Sequence, residues 1–300
     1  MEQSFLAYLR GRTRHLPQVD VGIGDDAAVI QTDGNSIIAC TDQIIEGVDF
    51  DLNECELADV GYKAMAINLS DIAAMGAAPQ SALVTLALPR ENATRIAGEV
   101  YEGILEAAEP FGVAIAGGDL STYEGPLSIS ITILGKVDSG KPWLRSGARE
   151  GDVVLASGSF GGSIRGRHLR PTPRVELATQ VRRLADVHAA IDVSDGLSLD
   201  LDRMCAKSGV GIELDTDAIP IHPDAIALAD ETGRTAFQHA WSDGEDFELL
   251  LAVSPDDADR LRTETLAAPL TAIGKIVGRT GLWQKQDGKY VRLSPQGYMH

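Results

Sequence analysis

Aspartates recur at places in this chain where a strand would open into a loop. Asp25 and Asp26 follow "VGIG", Asp42 follows "SIIACT", Asp119 follows "VAIAGG", and Asp192 and Asp195 lie in "IDVSDG". One more, Asp71, sits in "KAMAINLSDIAAMGAAP", where Met65, Leu69 and Ile72 repeat at helical spacing and make an apolar face. A single Asp at a strand end ordinarily caps a turn or a helix through its own hydrogen bonds. Asp71 is different, because an unpaired charge in so apolar a helix is costly to bury. It either caps backbone N–H groups of a neighbouring loop or faces a cation. Recurrence favours the cation, since carboxylates brought close together cannot all stay ionised without compensation. Mg²⁺ takes oxygen ligands and shares its shell with substrate phosphates, so Asp71, with Asn68 one turn earlier, is expected to face a Mg²⁺–phosphate site. The glycines of "GIGDD" and "AGGD" would let backbone approach a phosphate closely. No G-x-x-x-x-G-K-[ST] occurs and no G-x-G-x-x-G opens a helix, so nucleotide chemistry here is expected to be metal-centred.

The elements that must position these residues alternate along the chain. The first half reads as strands "VDVGIG", "DAAVIQ" and "SIIACT", the helix around Asp71, the strand "ALVTLALP", a helix from about Thr94 to Pro110, then "GVAIAGG" and "LSISITILGKV". In the last of these, Leu127, Ile129, Ile131 and Ile133 alternate with polar residues, as in a half-buried strand of an antiparallel or mixed sheet. After the turn-rich "RSGAREGD" the pattern restarts with "GDVVLASG", "HAAIDV", "VGIELD", "EDFELLLAV" and "TAIGKIV", separated by helical segments. The break falls near Val137 to Gly151 and divides the chain into residues 1–137 and 138–300, two α/β (α+β) domains with mixed sheets. Asp287-Gly288 between "GLWQK" and "KYVRL" signals a closing hairpin.

Composition narrows the function classes. A net charge of -18 over 300 residues argues against a nucleic-acid binder that relies on neutralising phosphates. Cys40, Cys55 and Cys205 form no CxxC and have no His at metal-ligand spacing, a pattern expected of reducing cytoplasm. Arg10, Arg12 and Arg14 precede no long apolar run, and no segment approaches the length of a bilayer span, so neither a targeting signal nor a membrane is expected.

The motifs "GIGDDAAVI", "TDQIIEGVDF", "GYKAMAINLSDIAAMGAAP", "AGGD" with "GPLSISITILG", "RSGAREGD", "HLRPTPR", "AIDVSDGLSLDL" and "SDGEDFELLLAV" occur in that order over nearly the whole chain. In this the sequence resembles the bacterial thiamine-monophosphate kinases, of the aminoimidazole-ribonucleotide-synthetase-like (PurM-like) superfamily. The resemblance implies a two-domain fold that forms a homodimer through the N-terminal sheet. It also implies transfer of the ATP γ-phosphoryl group to thiamine monophosphate with several Mg²⁺ ions. Carried over by position, the metal ligands would be Asp26, Thr41, Asp42, Asp71, Asp119, Asp192 and Asp195, with Asp26, Asp71, Asp119 and Asp192 central to catalysis. Arg145 and Ser194 match ATP contacts, and Gly118 lies where backbone approaches the phosphates. Asp49, Glu245 and Tyr298 fall at acceptor-side positions.

Several departures concern the acceptor. The family's "EGVHF" reads Glu46-Gly47-Val48-Asp49-Phe50, "GGDT" reads Gly117-Gly118-Asp119-Leu120, and the terminal "GYDHF"-like motif ends as Gly297-Tyr298-Met299-His300. Only Ile164 to Arg167 join "GSFGGS" to "HLRP", where a helical segment is usual. Competing readings are a synthetase of the same superfamily acting on an amide or another phosphate, and a non-catalytic nucleotide- or Mg²⁺-binding homologue. Against the synthetases, "TDQIIEG" and "GGDL" stand where those relatives carry "DGVGTK" and "GGET". For "HLRPTPR", a Pro-bounded connector is as good a reading as a source of positive charge.

Overall fold

The computed structural model describes residues 8–9, 17–32, 35–138 and 140–298. The arginines at positions 10, 12 and 14 and the final two residues lie outside that set.

The first half builds a six-stranded sheet from β1 (Val19–Val21), β2 (Ala28–Thr32), β3 (Asn35–Ile45), β4 (Ala78–Pro89), β5 (Ala114–Tyr123) and β6 (Ser128–Lys136), in the order β1-β2-β3-β6-β4-β5. Every pairing is antiparallel except β4 with β5. The alternation read in "LSISITILG" puts Leu127, Ile129, Ile131 and Ile133 in the core. Helices α1 (Leu57–Ala74) and α2 (Ala93–Ala108) cover that face. The other face carries the exposed residues Thr41, Gln43, Leu83 and Thr85.

The second half forms a seven-stranded sheet from β7 (Val153–Ser157), β8 (Val187–Asp192), β9 (Gly211–Leu214), β10 (Leu249–Val253), β11 (Leu270–Val277), β12 (Gly281–Gln286) and β13 (Lys289–Leu293), in the order β13-β12-β9-β11-β7-β10-β8. Helices α3 (Val175–Leu184) and α7 (Pro255–Thr263) pack on one face. On the other lie α4 (Leu197–Ser208) and α6 (Ala236–Ser242), with α5 (Pro223–Thr232) against α6. Strand β10 is buried throughout because its side chains enter both layers, Leu249, Leu251 and Val253 one way and Leu250 and Ala252 the other. The hairpin at Asp287-Gly288 forms as expected, both residues having positive φ.

The layout explains the composition of α1. It packs on β3 and β6 from one side and on α3 and β8 from the other, so it is covered by both halves and is apolar nearly all round. The helix ends at Ala74, short of Pro79, because Gly76 takes φ 58° and β4 starts at Ala78. Two expected strand ends are also displaced. Strand β3 continues through Asp42 to Ile45, and β5 runs through Asp119 to Tyr123. Gly117-Gly118 is therefore strand, not turn. A Cβ on Gly118 would overlap the carbonyl oxygen of Val84 on the neighbouring strand, so glycine is required there by strand packing. None of the described helices is long and apolar enough to cross a membrane.

Candidate active site

Three carboxylates from distant parts of the chain meet where α1 contacts both sheets. Asp26 comes from the loop between β1 and β2, Asp71 from the last turn of α1, and Asp192 from the end of β8. One oxygen from each lies within 4.8 Å of the other two. Asp42, on β3, shares a hydrogen bond with Asp71. Its backbone N–H donates to Asn68 Oδ1 at 3.2 Å, so Asn68 anchors the strand that presents Asp42. The Ser70 hydroxyl donates to Asp192 Oδ2 at 2.6 Å. Arg145 donates to Asp26 Oδ1 from Nη2 at 2.7 Å and from Nε at 3.1 Å, while its backbone N–H donates to Asp25 Oδ1 at 2.8 Å.

The electrostatics follow from this crowding. Burial, then the charges of Asp42, Asp192 and Asp26, push the Asp71 carboxyl well above the usual carboxylate range. Burial and then Asp26 do the same to Asp192, against the hydrogen bond from Ser70. Burial raises Asp42 to about 6, opposed by its hydrogen bond with Asp71. Burial disfavours the Arg145 charge, but Asp26 outweighs that and raises its pKa. Arg145 thus offsets part of the charge of Asp26, Asp71 and Asp192. Asp26 Oδ2 is buried and has no hydrogen-bond partner among the described residues. A buried acceptor left unpaired is costly, and a hard cation among all-oxygen donors satisfies it. The residues fit divalent-cation binding.

The remaining expected site residues lie at varying distances from this group. Ser194 and Asp195 follow Asp192, and Asp195 is paired to Arg203 at 2.5 Å, which also holds Asp200 at 2.6 Å. The Tyr298 N–H donates to the Asp195 carbonyl at 2.9 Å, tying the C-terminal segment to this loop. Thr41 and Asp119 are not brought to the carboxylate group within one chain. Thr41 bonds to Ile131 O and Thr132 Oγ1, and Asp119 pairs in register with the exposed Thr85 on the sheet face away from α1. The Asp49 carboxylate accepts the Ile45 N–H at 2.8 Å and closes its own turn.

Lys63 is the residue that reading the sequence left unassigned. It is 1% exposed, donates to Asp49 O at 2.8 Å, and pairs with Glu245 Oε1 at 2.5 Å. A lysine inside the apolar stretch of α1 was the available signal, as it was for Asp71. Glu245 and Phe247 both have positive φ, at 61° and 50°, so the "SDGEDFEL" loop is strained where it meets Lys63. Its other acids are held by arginines: Asp246 by Arg167 at 3.0 Å, and Glu248 by Arg174. Arg170 reaches from "HLRPTPR" to Asp59 and Glu106 and stacks over Tyr62. Both arginines of that motif therefore tie elements together here, as a connector would.

Comparison with known proteins places the chain. Residues 24–137 match the family model for the AIR synthase related protein N-terminal domain, and residues 145–282 match that for the C-terminal domain. The whole chain is 62% identical to the thiamine-monophosphate kinase of Rhodopirellula baltica, over 97% of that relative. The chain belongs to the thiamine-monophosphate kinase family. Family similarity extends to the Bacillus subtilis enzyme, 36% identical over 96% of each chain. A solved structure of AaThiL complexed with AMPPCP and TMP superposes with a TM-score of 0.84 at 28% identity, covering 98% of this chain and 96% of that one. The two-domain PurM-like α/β fold expected from the family motifs is the observed one.

Proposed function

We propose that this chain transfers the γ-phosphoryl group of ATP to thiamine monophosphate, giving thiamine diphosphate and ADP. The observation that carries the reading is the convergence of Asp26, Asp71 and Asp192 within 4.8 Å, with a buried oxygen on Asp26 that has no partner among the described residues. The substrate pair is suggested by relatives named thiamine-monophosphate kinase and by AaThiL complexed with AMPPCP and TMP.

In this reading Asp26, Asp42, Asp71 and Asp192 would hold Mg²⁺, with Asp195 nearby in the wider ligand set, while Thr41 and Asp119, on the opposite face of the first sheet, would join it only across the homodimer. Bound Mg²⁺ supplies neutralisation of the charge on two phosphorylated substrates. An oxygen of the acceptor phosphate attacks the γ-phosphorus in line. A P–O bond forms as the bond to the β,γ-bridging oxygen breaks, and ADP leaves with the electron pair. The attacking phosphate is already ionised, so no strong general base is required, and the protein contributes positioning and charge. Arg145, aimed by its paired bonds to Asp26, adds positive charge at the nucleotide, with Ser194 and Gly118 as further ATP contacts.

The acceptor side is assigned to Asp49, Glu245 and Tyr298. Support comes from Lys63, which joins Asp49 to Glu245 and so makes one network of two segments distant in sequence. A cavity of about 420 Å³ adjoins it, lined by Phe50, Asp51, Glu54 and Cys55 on one side and residues 164–166, His168 and Leu169 on the other. We place the rings of thiamine there. A homodimer through the exposed face of the first sheet completes the reading, since Leu83 on β4 and Tyr123 on β5 are exposed on that face. Sedimentation at micromolar concentration should give twice the chain mass. The unpaired thiols of Cys40, Cys55 and Cys205, and ATP as a substrate, fit the cytoplasm.

The function is tested with purified protein, ATP, Mg²⁺ and a panel of phosphate-bearing acceptors. Thiamine monophosphate should give the fastest ADP release, with thiamine diphosphate as product. Binding of both compounds without turnover would reduce the chain to a non-catalytic homologue.

A further inference from the structure

The site described above is acidic, and so is the protein as a whole, at a net charge of -18. A second cavity, of about 700 Å³, has the opposite character. Five of the 26 Lys and Arg residues line it, namely Lys141, Arg149, Arg182, Arg183 and Arg260, against two carboxylates, Asp186 and Asp257. Arg182 and Arg183 lie in the last turn of α3, where cations offset the helix dipole. That effect does not account for the rest of the set, because Lys141 and Arg149 come from the segment between the two sheets and Arg260 from α7. Three separate elements converge on one positive hollow of the size that small ligands occupy.

Arg260 is paired with Asp257 at 3.0 Å. Arg149 donates to His188 Nε2 at 3.0 Å, which leaves His188 Nδ1 to donate to Asp152 at 2.9 Å. Lys141 and Arg183 have no carboxylate partner among the described residues. Their side chains are exposed and line the same cavity. Like charges held together without counter-charge are unfavourable unless an anion joins them.

The cavity is distinct from the carboxylate group. It lies at the Val187 end of β8, and Asp192 closes the other end, five residues or roughly 16 Å away. The two are nonetheless mechanically connected. Arg182 donates to Gly76 O at 2.6 Å and to Met75 O at 3.3 Å, just past the helix turn that carries Asp71. Trp143, under the Arg182 guanidinium at 4.8 Å, donates its backbone N–H to Met75 O at 3.0 Å. Arg145 follows two residues later and points the other way, to Asp26.

We propose that this hollow is a second, non-catalytic anion site that takes a small diphosphate or polyphosphate compound. Guanidinium groups suit phosphate oxygens through paired N–H donors, and the excess of cations over carboxylates suits a ligand carrying several negative charges. An occupant bridging Lys141, Arg183 and Arg149 stiffens the segment that leads to Arg145 and the Arg182 clamp behind Asp71. The inference rests on the cavity alone and holds whatever the acceptor of the catalytic site.

The test is calorimetric titration of the whole protein with inorganic pyrophosphate in buffer free of divalent cations. Wild type should bind one equivalent, and Asp71→Asn should bind it within threefold as tightly. The double charge reversal Lys141→Glu/Arg183→Glu should weaken binding at least tenfold, and Arg183→Gln alone about threefold with unchanged melting temperature. Hydrogen exchange in residues 140–149 and 182–188 should slow on binding. The proposal is overturned if wild type binds no pyrophosphate at millimolar concentration, or if Arg183→Gln and the charge reversal bind as wild type does. It is equally overturned if Asp71→Asn alone abolishes binding, which would put the anion in the catalytic cleft.

Discussion

Replacing Asp71 by Asn separates a metal-binding carboxylate from a structural one, because the two roles give opposite signs of stability change. Asp71 shares a space 4.8 Å across with Asp26 and Asp192 and also bonds to Asp42. At an effective dielectric constant of about 20, one fully ionised pair at that separation repels by about 3 kcal/mol. Protonation already relieves part of this in the metal-free protein, as the raised pKa of Asp71 shows. A net gain of about 1–3 kcal/mol is then expected for metal-free Asp71→Asn, or a rise of about 2–5 °C in melting temperature. Turnover should fall at least about a hundredfold, the scale on which one charge contact in a transition state acts. The assay is thermal unfolding in EDTA and again with Mg²⁺, beside initial rates of ADP release. Wild type should be stabilised by Mg²⁺ more than the variant. A variant that melts several degrees lower in EDTA yet turns over at a near-normal rate would show that Asp71 is there to hold the fold.

Lys63→Met removes the link between Asp49 and Glu245; because Glu245 is about one-third exposed, the stability cost should be modest, about 1–2 kcal/mol. Steady-state kinetics should show the acceptor KM raised about tenfold with the ATP KM within twofold, and an equal rise in both would detach Lys63 from the acceptor side. Gly118→Ala should destabilise by about 2–4 kcal/mol, since its methyl must displace the Val84 carbonyl; unchanged unfolding would mean that glycine is needed there only by a ligand. Burial raises Asp246 to about 7, opposed first by Arg167. A raised folded-state pKa gives a contribution to stability that is full below the unfolded value of 3.8 and is lost as pH rises through 7. Relative to wild type, Asp246→Asn should therefore become more stable between pH 5 and pH 8 in thermal unfolding, and a change in the other direction would contradict the sign.

The parts of the site that could be read from sequence are those where a local rule is broken. Asp71 was visible because a carboxylate in an alanine-rich helix has no local partner, and Asp26 and Asp192 because each sits where a strand opens into a loop. Lys63 broke the same rule in the same helix, but its partner Glu245 is far along the chain, and a helix pattern carries no information about that. Asp42 and Asp119 were misplaced within their elements, since nothing local marks where β3 and β5 stop. The two glycines before Asp119 read as a turn, whereas the reason for Gly118 is the Val84 carbonyl of another strand. Register then sends Asp119 to the opposite face from Asp71, a consequence of pairing with β4 that alternation within β5 alone does not reveal. The double-sided burial of α1 was implied by its composition, yet which surfaces cover it depends on how the two sheets close over it.

The central claim is that the carboxylate group supports transfer of a phosphoryl group onto thiamine monophosphate. Phosphorus NMR of a single reaction with ATP, Mg²⁺ and thiamine monophosphate tests it directly, because it follows every phosphorus atom at once. The diphosphate resonances of thiamine diphosphate should grow in a one-to-one ratio with ADP, without inorganic phosphate, stay absent when EDTA is added, and grow at least about a hundredfold more slowly when Asp71 is replaced by Asn. ADP accompanied by inorganic phosphate, or thiamine diphosphate formed equally well by Asp71→Asn, would contradict it.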